Sequence, residues 1–313
     1  MDGDNPFTSA LNMINIDSSV LQDVERGFSL PPKPELLTQL QHSLEQPEPE
    51  LHDIAQLISQ DVATSAAVLK VINSPCYGLA RSITDIRQAV MFLGLDSIAT
   101  LVTGFLLKQA YSQHQCCIKL ERFWDTATEV ADMAVLIGKK IKSRVPTENL
   151  HMLGLFHDAG IPALAVQYPD YINVLEQANS DHSCSLVAYE EAAYRTNHAV
   201  IGYYLASAWN LPKDTCQLIL RHHDHHFFNS CQDETLRMTM ATLKMAENFV
   251  HLQRRFSPSQ DWQYFEASAL AVLDLENDDY LDIKDDVEEY FIDKQLEPLN
   301  TWLSRFLSLG FVS

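Results

Sequence analysis

Apolar positions along the chain recur every three or four residues, and no convincing alternating stretch interrupts them, so the pattern predicts helices and no sheet. The first thirty residues carry little periodicity. Leu30-Pro31-Pro32-Lys33-Pro34 cannot be helical at its middle, because each proline fixes its own φ and pushes its predecessor towards extended geometry. A helix is expected at or just after Pro34. Beyond the break at Gln46-Pro47-Glu48-Pro49, helices are predicted over about 50–60 and 62–73, a hairpin ended by Ser74-Pro75. Thr84 is the expected N-cap of a helix through Ile86, Val90 and Leu93, with Gly94 as its C′ residue, and Asp96 the expected cap of the next. There Ile98, Leu101, Val102, Phe105 and Leu106 form a stripe that requires a core to cover it. A long core helix is predicted from Glu121 to Lys142, carrying Phe123, Trp124, Val130, Met133, Ala134, Ile137 and Ile141, with lysines at its negative end. Further helices are expected at about 149–157, 162–166, 170–178, 184–208, 213–223, 235–254 and 259–273. Tyr290, Phe291, Leu299, Trp302, Leu303, Phe306 and Leu307 mark one or two more near the end.

Composition places these helices in a soluble, core-forming protein. Of 313 residues, 46% are hydrophobic and 20% charged, enough for one large domain or two small ones. No apolar run is long enough for a membrane span, so no membrane insertion is expected. Forty-two acids against 22 Lys and Arg leave a formal charge of −20, which disfavours binding to a phosphate backbone; no nucleic-acid partner is expected. Residues 274–297 hold eleven acids against Lys284 and Lys294, a local net of −9, which reads first as a solvated face and second as a docking surface for a basic partner. The six cysteines include no C-x-x-C pair and follow no signal-like segment, so a reducing cytoplasm is the expected home. Cys116 and Cys117 read as small buried hydrophobes rather than a redox pair.

Chemistry concentrates where histidine meets carboxylate. His157-Asp158 is one such place, His198 with the preceding Glu190 and Glu191 another, and Arg221-His222-His223-Asp224-His225-His226 the third. Imidazole and carboxylate are the ligands of divalent transition metals, and a carboxylate beside a histidine can bridge two ions. One doublet says little; the set in this order says much more. The alternative for the same residues is a hydrogen-bonded pocket in which His157 and Asp158 cap helix ends and bond to His198 or His223 without metal, His225 and His226 being exposed loop residues. Trp124 and Trp209 read as core anchors.

The order of these motifs resembles the HDOD domain, the HD-related output domain of bacterial signalling proteins. Leu30-Pro31-Pro32-Lys33-Pro34-Glu35-Leu36-Leu37 looks like its opening, followed by Ile58-Ser59-Gln60-Asp61-Val62, by Ala67 through Ser74, by Ile83 to Gly94, by Phe123-Trp124, by Gly154 through Gly160, and by His198 through Trp209-Asn210-Leu211-Pro212 to His222-His223. The resemblance covers roughly residues 23–225. It implies an all-α, multi-helix bundle related to the HD-superfamily metal-dependent phosphohydrolases, and a regulatory role in bacterial signal transduction. The expected organisation is an N-terminal segment (1–22), an HDOD domain (23–225) and an acidic helical C-terminal extension (226–313). The flanks are expected to be too short for a receiver, kinase or diguanylate cyclase domain, so the module would act in trans.

The resemblance also says what to expect of the site. The first metal-binding histidine of catalytic relatives corresponds here to Thr126, and the phosphate-contacting lysine of the HD-GYP type to Ile161. The implied metal set is His157, Asp158, His198, His222 and His223, with Glu247 nearest to the closing aspartate. Losing a ligand and a phosphate-contacting cation removes what a phosphoryl-transfer site supplies. The preferred reading is therefore a non-catalytic binding or protein-interaction module with protein partners in signalling and no cofactor. One alternative is a metal-dependent phosphohydrolase or phosphodiesterase with a reduced site holding one Fe, Mn, Zn or Mg ion. Another is a module that senses a nucleotide or cyclic dinucleotide without turnover.

Overall fold

The computed structural model describes residues 31–74, 77–111, 116–141, 145–181 and 184–309, with side chains as far as 294. The expected N-terminal segment 1–22, Cys76 and the side chains of Leu299, Trp302, Leu303, Phe306 and Leu307 lie outside them. Among the described residues the secondary structure is helical without a strand. The first layer comprises α1 (Glu35–Leu44), α2 (Leu51–Ser59), α3 (Val62–Ile72), α4 (Ile86–Leu93) and α5 (Leu95–Ala110). α1 is fastened to a distant part of the chain: Trp209 Nε1 donates to the Pro31 carbonyl at 3.2 Å, and Gln41 Nε2 donates to the Trp209 carbonyl at 2.8 Å. The Asp61 carboxylate caps α3 by accepting from Thr64 N–H at 2.6 Å.

Two expected caps move by one or two positions. Asp85, not Thr84, caps α4, accepting from Gln88 N–H at 2.9 Å, because the carboxylate immediately before Ile86 reaches the first free N–H groups. Gly94, at φ +84°, both ends α4 and starts α5, which leaves Asp96 in the first turn, where its charge favours the helix N-terminus.

The centre is built on α6 (Leu120–Lys140) and α7 (Thr147–Phe156), followed by α8 (Gly160–Gln167), α9 (Tyr171–Ser180), α10 (Leu186–Tyr194), α11 (His198–Ala208), α12 (Lys213–Arg221) and the single turn α13 (Phe227–Ser230). Two glycines set how closely these helices approach. A Cβ on Gly154 would lie 2.6 Å from the Ala131 Cα in α6, and one on Gly160 would lie 2.0 Å from the His198 carbonyl oxygen in α11. The single helix expected over 184–208 is two. Arg195 adopts a left-handed conformation at φ 58°, and Asn197 restarts the chain by accepting from Val200 N–H at 3.0 Å. That break puts His198 at the first position of α11.

The chain finishes with α14 (Glu234–Arg255), α15 (Trp262–Leu273) and α16 (Asn277–Leu309). α14 is buried along most of its length against α6 and α15, and one apolar cluster runs from Leu37 in α1 to Phe291 in α16. A smaller cluster gathers Ile161, Leu164, Tyr171 and Ile201. Trp124 and Trp209 are both buried core residues, whereas Cys116 and Cys117 are half-buried thiols, less enclosed than the sequence reading expected. In α16, Ile283, Val287 and Phe291 face the core at helical spacing, and Asp278, Asp279, Asp282, Asp285, Glu288, Glu289 and Asp293 face solvent. No helix among the described residues is long and apolar enough to cross a membrane.

Candidate metal site

The ends of α7, α11 and α12 converge on one point. His157 follows α7 and Asp158 comes next, His198 opens α11, and His222-His223 follow α12; their burial and the Gly160 contact bring these termini together. Ligand atoms of Asp158, His198, His222 and His223 lie within 4.8 Å of one another. His198 and His222 are fully enclosed, while the side chains of Asp158 and His223 keep 30% and 23% exposure, so the pocket opens on their side.

Each ring is pinned from behind through Nδ1. His198 Nδ1–H donates to Glu190 Oε2 at 2.7 Å, His222 Nδ1–H to the Ile219 carbonyl at 2.6 Å, and His223 Nδ1–H to Asp261 Oδ2 at 2.5 Å. Glu190 also accepts from the His198 backbone N–H at 3.0 Å and from the Tyr171 hydroxyl. With each Nδ1 anchored outward, the three Nε2 atoms face inward, the arrangement by which outer hydrogen bonds prepare histidines for a metal.

The inward atoms fit poorly with one another alone. His198 Nε2 and His223 Nε2 stand 2.9 Å apart, and His222 Nε2 stands 3.3 Å from Asp158 Oδ1 without a hydrogen-bond partner. His198 Nε2 is likewise 3.3 Å from Asp158 Oδ1. Electron-rich atoms at these separations need a cation among them. A proton can serve one pair: against the lowering effect of burial, Glu190 and Asp158 push His198 up to about 10, so its Nε2–H can donate to His223. It cannot serve the other pair, because burial and the neighbouring His223 push His222 down to about 3. Burial and Lys244 hold His223 down at about 4. An orphaned, buried Nε2 beside a carboxylate oxygen fits a divalent ion held by Asp158, His198, His222 and His223.

His157 sits beside this set rather than in it. Its Nδ1 meets the Gly154 carbonyl at 2.8 Å, and its Nε2 lies 3.2 Å from Asp158 Oδ2 and 3.3 Å from Glu247 Oε1. Burial lowers the His157 imidazole, but Asp158 and Glu247 outweigh it and hold the group above its ordinary value. Glu247, at the equivalent of the closing aspartate, is engaged by His157 and by Lys244 Nζ at 2.8 Å. Thr126 is half-exposed on α6, its hydroxyl donating to the Arg122 carbonyl at 3.0 Å, and Ile161 is buried in the smaller apolar cluster. His225 and His226 are exposed, with His225 stacked on Tyr264 at 4.1 Å.

Three residues of the site escape the motif reading. Asp261, just before α15, supports His223 from 38 positions away. Lys244 is buried in α14 with Nζ also 3.3 Å from Asp261 Oδ2. Tyr171 completes the support of Glu190, the acid that the sequence shows only as a neighbour of His198. Proximity in sequence could have suggested Glu190 alone.

Residues 30–225 match the family model of the HDOD domain, more than half of the chain. An uncharacterized protein of Treponema pallidum (strain Nichols) is 27% identical over 204 residues, 64% of this chain and 39% of that protein. The cyclic di-GMP phosphodiesterase CdgJ of Vibrio cholerae serotype O1 is 24% identical over 144 residues, 44% of this chain and 32% of CdgJ. The chain thus spans well under half the length of either relative. Among solved structures, an HDOD domain protein of unknown function from Geobacter sulfurreducens superposes with a TM-score of 0.61 at 23% identity, covering 87% of this chain and 97% of its own. A Shewanella amazonensis SB2B protein provisionally called a metal-dependent phosphohydrolase gives 0.60 at 19%, covering 90% and 99%. These likenesses establish a shared fold.

Proposed function

The chain belongs to the HDOD family, and from that premise we propose that it is a signal-transduction module that holds one divalent metal ion and acts by binding rather than by turnover. The observation that carries the reading is the inward convergence of three Nε2 atoms on Asp158 while every Nδ1 is anchored outward. Asp158, His198, His222 and His223 would hold the ion, and when bound it supplies Lewis acidity and an attachment point for an anionic oxygen. The half-open side at Asp158 and His223 is where such a ligand, a nucleotide or cyclic dinucleotide, would enter. The chain's own residues do the rest. Glu190, Asp261 and the Ile219 carbonyl orient the rings; His157 sits between Asp158 and Glu247; the Tyr171 hydroxyl fixes Glu190.

Turnover has less support, because among the described residues the two positions where a phosphate-contacting lysine would be sought offer none. Ile161 stands where a lysine would reach phosphate, and Lys244 is enclosed and already paired to Glu247 and Asp261. Cytoplasmic residence and protein partners in signalling belong to the same proposal, motivated by the family and by the absence of a spanning helix among the described residues. Hydrolysis is the second reading, favoured by the ordered ligand set and by the resemblance to CdgJ. Metal analysis of untagged protein, followed by incubation with cyclic di-GMP, separates them. We expect about one equivalent of Fe, Mn or Zn, lost in His222→Ala, and a ligand-dependent rise in Tm without product. Steady hydrolysis abolished by Asp158→Ala in folded protein would overturn the binding role in favour of the enzyme.

A further inference from the structure

Arg237, at the start of α14, is a cation that the fold leaves unsatisfied. Its Nε is sealed from solvent without a hydrogen-bond partner, and among the described residues no carboxylate pairs with its guanidinium. Arg221 shows the contrasting case: its Nε and Nη2 donate to Asp224 Oδ2 at 3.1 and 2.7 Å, and the group lies 4.7 Å from the centre of the Phe227 ring. A buried N–H without an acceptor is uncommon, because it gives up water and gains nothing in exchange. That is the more notable in a chain with 42 acids against 22 Lys and Arg, where a carboxylate partner is the ordinary outcome.

Arg237 lines an open-sided cavity of about 520 Å³ bounded by α13, α14 and α15. Glu234, one helical turn earlier, lines it too, and acid and base at this spacing commonly pair. Here they form no ion pair, so both charges stand in one cavity, each without a partner from the protein. The side-chain amides of Asn229 and Gln232 and the Ser268 hydroxyl are also at its wall, and none is hydrogen-bonded within the protein. Apolar surface comes from Phe228, Ala271 and Val272. No ligand of the metal pocket lines the cavity, nor does any group that supports one, so this is a separate place on the molecule.

We propose that this cavity binds a small zwitterion, an α-amino acid with an apolar side chain. The Arg237 guanidinium donates to its carboxylate, for which a planar fork of N–H groups is the matching shape. Glu234 accepts from its ammonium, and its side chain covers Phe228, Ala271 and Val272. Asn229, Gln232 and Ser268 hold polar groups at the rim. Opposite charges one helical turn apart favour a ligand that carries both; a phosphate would be drawn to Arg237 but repelled by Glu234. The cavity volume lies in the range of small-molecule sites.

The test is calorimetric titration of the full chain with L-leucine, L-methionine and L-phenylalanine, followed by the amine and the acid that each binder becomes when its carboxylate or its ammonium is removed. At least one amino acid should bind at one per chain, and each of its two analogues should bind about tenfold or more weakly, the usual effect of losing a charge-assisted hydrogen bond. Arg237→Gln should weaken the amino acid by a similar factor and leave the amine unaffected. Glu234→Gln should weaken the amino acid and leave the acid analogue unaffected. A general loss of structure would not give this crossed pattern, and circular dichroism checks the fold; should a variant not fold, the analogue series on the unaltered chain decides alone. The proposal is overturned if none of the three amino acids binds, if either analogue binds as tightly as its parent, if inorganic phosphate displaces the amino acid, or if the folded variants bind as the wild type does.

Discussion

The state of each histidine is set by what stands behind it. Glu190 is fully buried and gives both carboxylate oxygens to neighbours: one to the His198 ring and backbone, the other to the Tyr171 hydroxyl. Glu190→Gln keeps the shape but removes the charge that makes the ring a strong donor. It should weaken metal binding by about 10–100-fold, the usual cost of losing an outer-shell carboxylate. Calorimetric titration measures this, and an unchanged Kd alongside an unchanged fold would refute it. His151 shows the opposite case. It is enclosed in α7, its Nε2 has no hydrogen-bond partner, and burial pushes it down to about 4. The unfolded chain protonates that imidazole near its ordinary value, about 6.5, so between the two pH values the unfolded state binds more protons. Stability is therefore complete above about 6.5 and falls as the pH drops to about 4, by roughly 3 kcal/mol from this group alone. His151→Leu should flatten that limb in urea titrations at successive pH values; an identical slope in wild type and variant would show that His151 is not its source.

At the level of elements, ligand geometry depends on how closely α8 and α11 approach. Because a Cβ on Gly160 would strike the His198 carbonyl and the Gly202 backbone nitrogen, at 2.0 and 2.8 Å, neither neighbour can move aside by turning a side chain. Gly160→Ala should push the helices apart, shift His198 from Asp158, and cost about 1–3 kcal/mol with loss of metal binding. Full metal affinity in the variant would show that this approach does not position the ligand. Much of this arrangement is legible in the sequence: helical stripes place α5, α6 and α12 close to their observed ranges, and the two doublets together with His198 contain the four residues that converge. The division between α10 and α11 is not, since Tyr194-Arg195-Thr196-Asn197 contains neither glycine nor proline, and only a left-handed Arg195 marks the end. Lys244 is hidden for a similar reason. In a helix pattern a lysine signals the solvent face, and its burial depends on Glu247 one turn on and Asp261 from the next connection.

For the whole molecule, the question is which parts hold the site and which hold the bundle. The motifs end near residue 225, but the apolar core does not: α14 supplies Met240, Leu243, Phe249 and the Lys244–Glu247 pair, and the connection to α15 supplies Asp261. α16 contributes differently. Ile283, Val287 and Phe291 bury apolar area, each contributing roughly 1.5–3 kcal/mol, and Tyr290 donates to Asp132 Oδ2 at 2.7 Å while Lys294 pairs with Glu129 at 3.1 Å, beside the 2.6 Å pair that Arg254 of α14 makes with the same carboxylate. Asp132 is a carboxyl that burial holds above its ordinary value, so it needs that phenol. None of these contacts reaches the histidine cluster. Deleting residues 277–313 should therefore lower Tm markedly, uncovering Glu129 and Asp132 on α6, yet leave metal stoichiometry at one per chain. Deleting from 226 should abolish both the cooperative thermal transition and the metal, because the outer support of His223 goes with the core. Equal loss of metal in the two truncations would mean that α16 shapes the site through α14, and that the acidic helix is part of the binding machinery rather than a brace outside it.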